Sequence, residues 1–372
     1  MARACRMRFL KLRLFLLLFV LFSWGTCAAG AQTQPTGALS TKSVLVLHAF
    51  ESQAPVFAQT DSGLSKTFLA GGVPLENQFF DSLDLRRNPD HAYRRVLLEQ
   101  LQLKYRQRRF DLIVTIYPEA LNFVLNEAQS LFADVPVLAL HLPADTAPPT
   151  TDSSRRIYWH AGRLDFRGTL EIALKLVPAA KRVFVVSGAH EVDRRQEARA
   201  RVELKPWENR LEFQYLSGLP FEGMLTTLTS APADSIVLLL PVSTDVAGTL
   251  YFSPDVAQRV GQASAAPVFG VLETSLGRGI VGGMLYSFER VGASAGALAL
   301  EILGGGPSSG PVPSVLEVPP APMFDWPQLK RWDLSMDAVP PGSIVINREY
   351  TIWERYRTAV IVASFLLVLQ AL

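Results

Sequence analysis

Short apolar runs separated by longer amphipathic stretches recur along this chain, and that alternation restricts its fold more than any other feature. Residues 43–49 (SVLVLHA), 111–116 (DLIVTI) and 135–140 (VPVLAL) read as strands buried on both faces. A strand with one wet face would alternate polar and apolar side chains instead. Residues 76–80 form a further strand candidate. Between these runs, residues 57–70 have helical spacing and end at Gly71-Gly72. Residues 89–107 read as an amphipathic helix with Val96, Leu97, Leu101 and Leu103 directed inward, and residues 119–132 as another helix. The β-α-β-α-β-α-β series predicts a parallel sheet covered by helices on both faces.

Residues 145–156 are rich in Pro, Thr and Ser and read as a connector. The pattern then restarts. Strands are expected at 182–187, 211–215, 235–240, 267–272 and 280–288, and helices at 166–176, 193–203, 221–230, 255–263 and 291–303. Helix 193–203 is so highly charged that it reads as a solvated face. Two α/β units joined by a connector predict two lobes with a cleft between them. Ligands of open α/β sheets lie beyond the carboxyl ends of the strands.

Polar groups at those ends are the candidate site. Glu51 and Ser52 follow the first strand, Tyr117 the third and His141 the fourth. In the second unit His190, Thr244, Asp245, Glu273 and Tyr286 hold comparable places. Each alone also reads as a helix cap or turn residue. Together they form the expected ligand-binding set. Phe50, Tyr117 and Tyr286 offer surfaces for a ring, and the carboxylates offer partners for an amine, which suits a small metabolite such as an amino acid or heterocycle.

The two ends of the chain point to export. Arg3, Arg6, Arg8, Lys11 and Arg13 precede the apolar run 14–24, and Ala29-Gly30-Ala31 offers a cleavage site, so residues 1–31 read as a signal peptide or an uncleaved anchor. Residues 358–372 (TAVIVASFLLVLQAL) read as part of a transmembrane helix, flanked by Trp353, Arg355, Tyr356 and Arg357. At about 1.5 Å per residue the run covers roughly 22 Å, short of the ~30 Å hydrocarbon core. A buried C-terminal helix is the other reading. Net charge is +2, and the five basic residues of the first thirty-one leave −3 for the rest, which disfavours nucleic acid as a partner. Both cysteines, Cys5 and Cys27, lie in the export segment, so no disulfide is expected in the body.

Two motifs match by letter only. Gly277-x-Gly279-x-x-Gly282 leads into an apparent strand rather than a helix N-terminus, so no dinucleotide cofactor is expected. Gly292-Ala-Ser294-Ala-Gly296 resembles a nucleophile elbow, but all five histidines precede Ser294, against the order that such a hydrolase needs. No metal-ligand spacing occurs and no enzyme is expected in this chain. His48 reads as a core histidine on a buried strand.

The layout resembles the type I periplasmic binding proteins, above all the binding-protein-like sensor regions of bacterial membrane histidine kinases. The resemblance rests on GIVGGMLYSFERVGASAGALALEILGG (279–305) and DWPQLKRWDLSMDAVPPGSIVINREYTIWERY (325–356). It implies an α/β, two-lobed fold with mostly parallel sheets: a first lobe at 42–150 with a return segment at about 280–306, and a second at 151–279 with about 307–320. A juxtamembrane segment at 321–357 and the transmembrane helix would follow. It further implies a periplasmic, small-molecule-sensing input domain held in the inner membrane, able to dimerise through its membrane helix. The alternative is the substrate-binding protein of an ABC-type transporter.

Overall fold

Two separate sheets organise the chain. The computed structural model describes residues 39–51, 54–143, 155–306 and 315–349, and the isolated positions 357, 360–361 and 367–370. The first sheet contains β1 (Val44–His48), β2 (Gln78–Ser82), β3 (Leu112–Ile116), β4 (Val137–Pro143) and β5 (Ile157–Gly162) in the order β2-β1-β3-β4-β5. All its pairings are parallel. Every residue of β1 and β3 is buried, as their unbroken apolar runs require.

The second sheet contains β6 (Arg182–Val186), β7 (Glu212–Tyr215), β8 (Ser235–Leu239), β9 (Val268–Gly270), β10 (Gly282–Leu285), β11 (Ala321–Asp325) and β12 (Ile344–Ile346). Its order is β12-β11-β10-β9-β8-β6-β7, and only the β10–β11 pair is antiparallel. The fold is thus α/β, two-lobed and mostly parallel.

Helices α1 (Pro55–Ala70), α2 (His91–Tyr105) and α3 (Pro118–Asn122) belong to the first lobe, and α4 (Phe166–Leu176), α5 (Glu191–Leu204), α6 (Phe221–Thr229) and α7 (Ser253–Ala263) to the second. Local sequence starts several of them. Asp90 and Asp165 accept the Tyr93 and Gly168 amides at the N-termini of α2 and α4, and Pro opens α1 and α3. Helix α8 (Phe288–Leu303) returns to the first lobe and packs on α1. Small residues permit that contact: a β-carbon at Gly63 would stand 2.2 Å from the Glu289 carbonyl oxygen. The helix α9 (Trp326–Arg331) follows β11.

The chain therefore passes between the lobes at 163–165, at 286–287 and between α8 and β11. Tyr286 lies on the second of these crossings.

Several expectations are corrected. Residues 157–162 are not the start of the second lobe but the edge strand of the first sheet; the sequence IYWHAG lacks the apolar run that marks a central strand. Val315 pairs beside it with Trp159, so this part of 307–320 also lies on the first sheet. Residues 282–285 of the expected return segment pair within the second sheet, because Gly283 lets β10 lie against the Gly270 carbonyl. On α2, Leu97 and Leu101 are buried as expected, together with Tyr105, but Val96 and Leu103 are exposed, because the buried stripe is only one residue wide at i, i+4 and i+8. Among the described residues no helix is long and apolar enough to cross a membrane. The expected signal or anchor at 1–31 and most of the apolar run 358–372 lie outside the described residues.

Candidate functional site

Where β3 ends, the chain must turn at once into a helix opened by Pro118. The residue before a proline is barred from the helical region, and Tyr117 takes φ 76°, ψ 158°, a region otherwise nearly restricted to glycine. Its backbone is held by the Tyr117 amide donating to the Leu140 carbonyl. The ring sits among Phe50, Phe57 and His141, with centroids 5.4, 6.0 and 5.8 Å away. Burial raises the Tyr117 phenol above its usual range; Glu119 adds to this and Arg86 opposes it.

On the next strand, β4 slips register against β5 between Ala139 and Leu142. Such a bulge re-aims a side chain, and here it falls on His141, at φ 59°. His141 is buried together with His160 of β5 and Tyr286. The Tyr286 hydroxyl lies 2.5 Å from His141 Nδ1 and 3.4 Å from His160 Nδ1. On the other side of the ring, His141 Nε2 lies 3.0 Å from Thr60 Oγ1.

Proton positions follow from the ends of this chain. Thr60 donates its one hydroxyl proton to the Val56 carbonyl at 2.8 Å, so toward His141 it accepts. His141 then carries its proton on Nε2, its Nδ1 accepts from Tyr286, and Tyr286 accepts from His160 Nδ1. Both imidazoles are neutral. Burial, then the neighbouring His160, holds His141 well below the usual histidine range, and burial lowers His160 to about 4. Burial, with a smaller contribution from Tyr117, raises Tyr286 well above the ordinary phenol value.

The remaining predicted residues divide. Glu51, after β1, pairs one oxygen with Arg86 at 2.5 Å; its Oε2 is buried without a hydrogen-bond partner among the described residues. Glu273, after β9, likewise has a buried Oε2 without a partner among the described residues. Burial raises its carboxyl, which Glu289 reinforces and a hydrogen bond from Ser287 and the Arg290 charge oppose. Arg86 stacks over Phe50, 4.8 Å from the ring centre.

Thr244, Asp245 and His190 serve the loops of the second lobe. Asp245 accepts from the amides of Phe221, Ala247 and Thr249 and from the Tyr251 hydroxyl, at 3.0–3.1 Å. Burial pushes its carboxyl up, but these four donors outweigh it and the net shift is downward. With every donor internal, Asp245 organises its loop. Thr244 donates its amide to Asp193 and accepts from Ala189. His190 is exposed and caps α5 through the Val192 amide. Ser52 lies outside the described residues.

Sequence reading missed Thr60, His160 and Asp193. Asp193 belongs to the helix expected to be a solvated face, yet it is fully buried, accepting from the Ser243 amide at 2.7 Å and the Ser243 hydroxyl at 2.9 Å. The signal is present in the sequence: Asp193 shares one helical stripe with Glu197, Ala200 and Leu204, all buried, while Glu191 lies off it and is exposed. His160 alternates with Tyr158 as the buried positions of β5, a signal visible only once that segment is known to be a strand. Among the described residues no cluster of three or more His, Cys, Asp or Glu is placed to hold a metal ion.

Comparison with family models finds no match, and comparison with characterised protein sequences finds none. Solved structures do match. The ligand-free, open structure of CD0873, a substrate-binding protein with adhesive properties from Clostridium difficile, aligns with a TM-score of 0.55 at 17% identity, covering 83% of this chain and all of that one. An ABC domain in complex with L-Trp from Streptococcus pneumoniae gives 0.54 at 16% identity, covering 82% and 99%. A conserved domain protein from Vibrio cholerae gives 0.53 at 14%, covering 82% and 99%. At these identities the likeness is one of fold: α/β, two-lobed, with mostly parallel sheets.

Proposed function

We propose that this chain binds a small organic molecule between its lobes, as a substrate-binding protein does. The observation that carries the reading is two buried carboxylate oxygens without partners among the described residues, Glu51 Oε2 and Glu273 Oε2, each following a strand of a different sheet. Leaving buried polar atoms unpaired is costly, and a ligand that donates to them removes the cost. Tyr117, held in a strained backbone against Phe50, adds an aromatic wall.

Delivery of the solute to an ABC-type transporter is the reading that the structural neighbours support better, since CD0873 is a substrate-binding protein and the Streptococcus domain holds L-Trp. A sensor input domain, with its body in the periplasm and its C-terminus in the inner membrane, is the second reading. It is favoured by the Trp-Glu-Arg-Tyr segment at 353–356 and the apolar run after it.

The test is a thermal-shift screen of the purified protein against amino acids, including L-tryptophan, and heterocyclic amines. A ligand should raise the midpoint of the parent and lose at least tenfold in affinity with Glu273→Gln or Tyr117→Ala. Equal affinity in both variants would place the site elsewhere.

A further inference from the structure

Tyr286 has its backbone in one lobe and the end of its side chain in the other. Its amide donates to the Val271 carbonyl at 2.8 Å, and its carbonyl accepts from the Glu273 amide at 3.0 Å, which fixes it to the second sheet beside β9. Its hydroxyl is held by His141 of β4 and His160 of β5, both in the first sheet. The hydroxyl also closes on β5 itself, where a β-carbon at Gly162 would stand 3.1 Å from it. Gly162 begins one chain crossing and Tyr286 begins another, so the contact sits where the lobes pivot.

We infer that the Tyr286 hydroxyl is an interlobe latch: its hydrogen bonds to His141 and His160 hold the two lobes together at the hinge. Hinge rotation moves the Tyr286 backbone with the second sheet and the two imidazoles with the first. Opening withdraws the hydroxyl and leaves His141 Nδ1 buried without a donor. Rotation of His141 offers no escape, because Nε2 is committed to Thr60 and the ring is packed against Phe288 at 5.1 Å. One such lost bond changes the ratio of closed to open molecules by about tenfold. The latch rests on the ligand-binding reading for one consequence: a ligand that needs the closed form binds more weakly in proportion to the closed fraction. The latch itself exists without ligand.

The test uses the full chain, ligand-free, with Cys5→Ser and Cys27→Ser and spin labels at Val96→Cys on α2 and Val202→Cys on α5, one exposed position in each lobe. Interlobe distances are read by electron–electron double resonance. Tyr286→Phe removes only the hydroxyl and should move the main population to distances longer by more than about 2 Å. His141→Phe should do the same, because it keeps a ring in place but offers no acceptor to Tyr286; it carries the test if the first variant does not fold. Leu228→Ala on α6 weakens packing within the second lobe alone, away from the latch, and should leave the distances unchanged. Distributions of Tyr286→Phe and His141→Phe that superimpose on the parent overturn the latch, as does an equal lengthening in Leu228→Ala. A latch response in a protein that binds no small molecule would refute the ligand reading and leave the latch standing.

Discussion

Gly292 of α8 lies so close to Thr60 of α1 that a β-carbon placed on it would stand 2.1 Å from the Thr60 carbonyl oxygen. The obstacle is backbone, so no side-chain rotation relieves it. Gly292→Ala should destabilise the fold by ~1–3 kcal/mol through overpacking. Gly223, in the helix α6, has nothing nearer than 3.6 Å to its would-be β-carbon, and Gly223→Ala should stabilise by ~0.5–1 kcal/mol. Denaturant titration of the two variants checks the pair; equal signs would refute the close-contact account.

The packing of α2 gives a second contrast. Leu101 is buried and Leu103 is exposed, two positions apart on the same helix. Leu101→Ala should cost ~2–5 kcal/mol by leaving a cavity. Leu103→Ala should stay within about 0.5 kcal/mol of the parent. Unfolding midpoints in urea decide it.

Asp193 holds the loop after β8 by accepting from two amides and a hydroxyl while fully buried. Asp193→Asn sets an amide donor against one of those donors and removes the charge that strengthens the others. A loss of ~1.5–3 kcal/mol is expected. Hydrogen exchange should quicken at Ser243 and Thr244 beyond the global change; uniform quickening would deny the local role.

Acid should weaken the protein through His160. Its folded value is about 4 against an ordinary 6.5. Between the two the unfolded chain binds more protons, so this histidine's stabilisation is present above pH 6.5 and is lost as pH falls toward 4. The full change is about 3 kcal/mol. Glu273, Asp193 and Asp325, whose carboxyls are raised chiefly by burial, act in the opposite direction. The measurement is therefore the difference in unfolding free energy between the parent and His160→Gln at each pH. It should shrink by about 3 kcal/mol from pH 7 to pH 4, and a constant difference would contradict a neutral buried His160.

The amino-acid sequence by itself determined the class of fold. Val44–His48, Leu112–Ile116 and Val137–Pro143 are so continuously apolar that no arrangement but a sheet covered on both faces hides them. It also marked the strand ends as the place of the polar candidates, because a strand end in such a sheet faces the cleft. It could not tell Glu51 from Asp245. Both are acids after a strand, but only the fold brings three amides and a hydroxyl to Asp245 and leaves Glu51 Oε2 without a partner among the described residues. Nor could it join Thr60, His141, His160 and Tyr286. These positions span more than two hundred residues and obey no common period, since their meeting depends on a bulge in β4, an edge strand with weak patterning and a crossing between lobes. Local patterning fixes which residues are buried within an element. Which buried polar atoms find one another is settled by the order in which strands and crossings are laid side by side, and that order exists only in the tertiary structure.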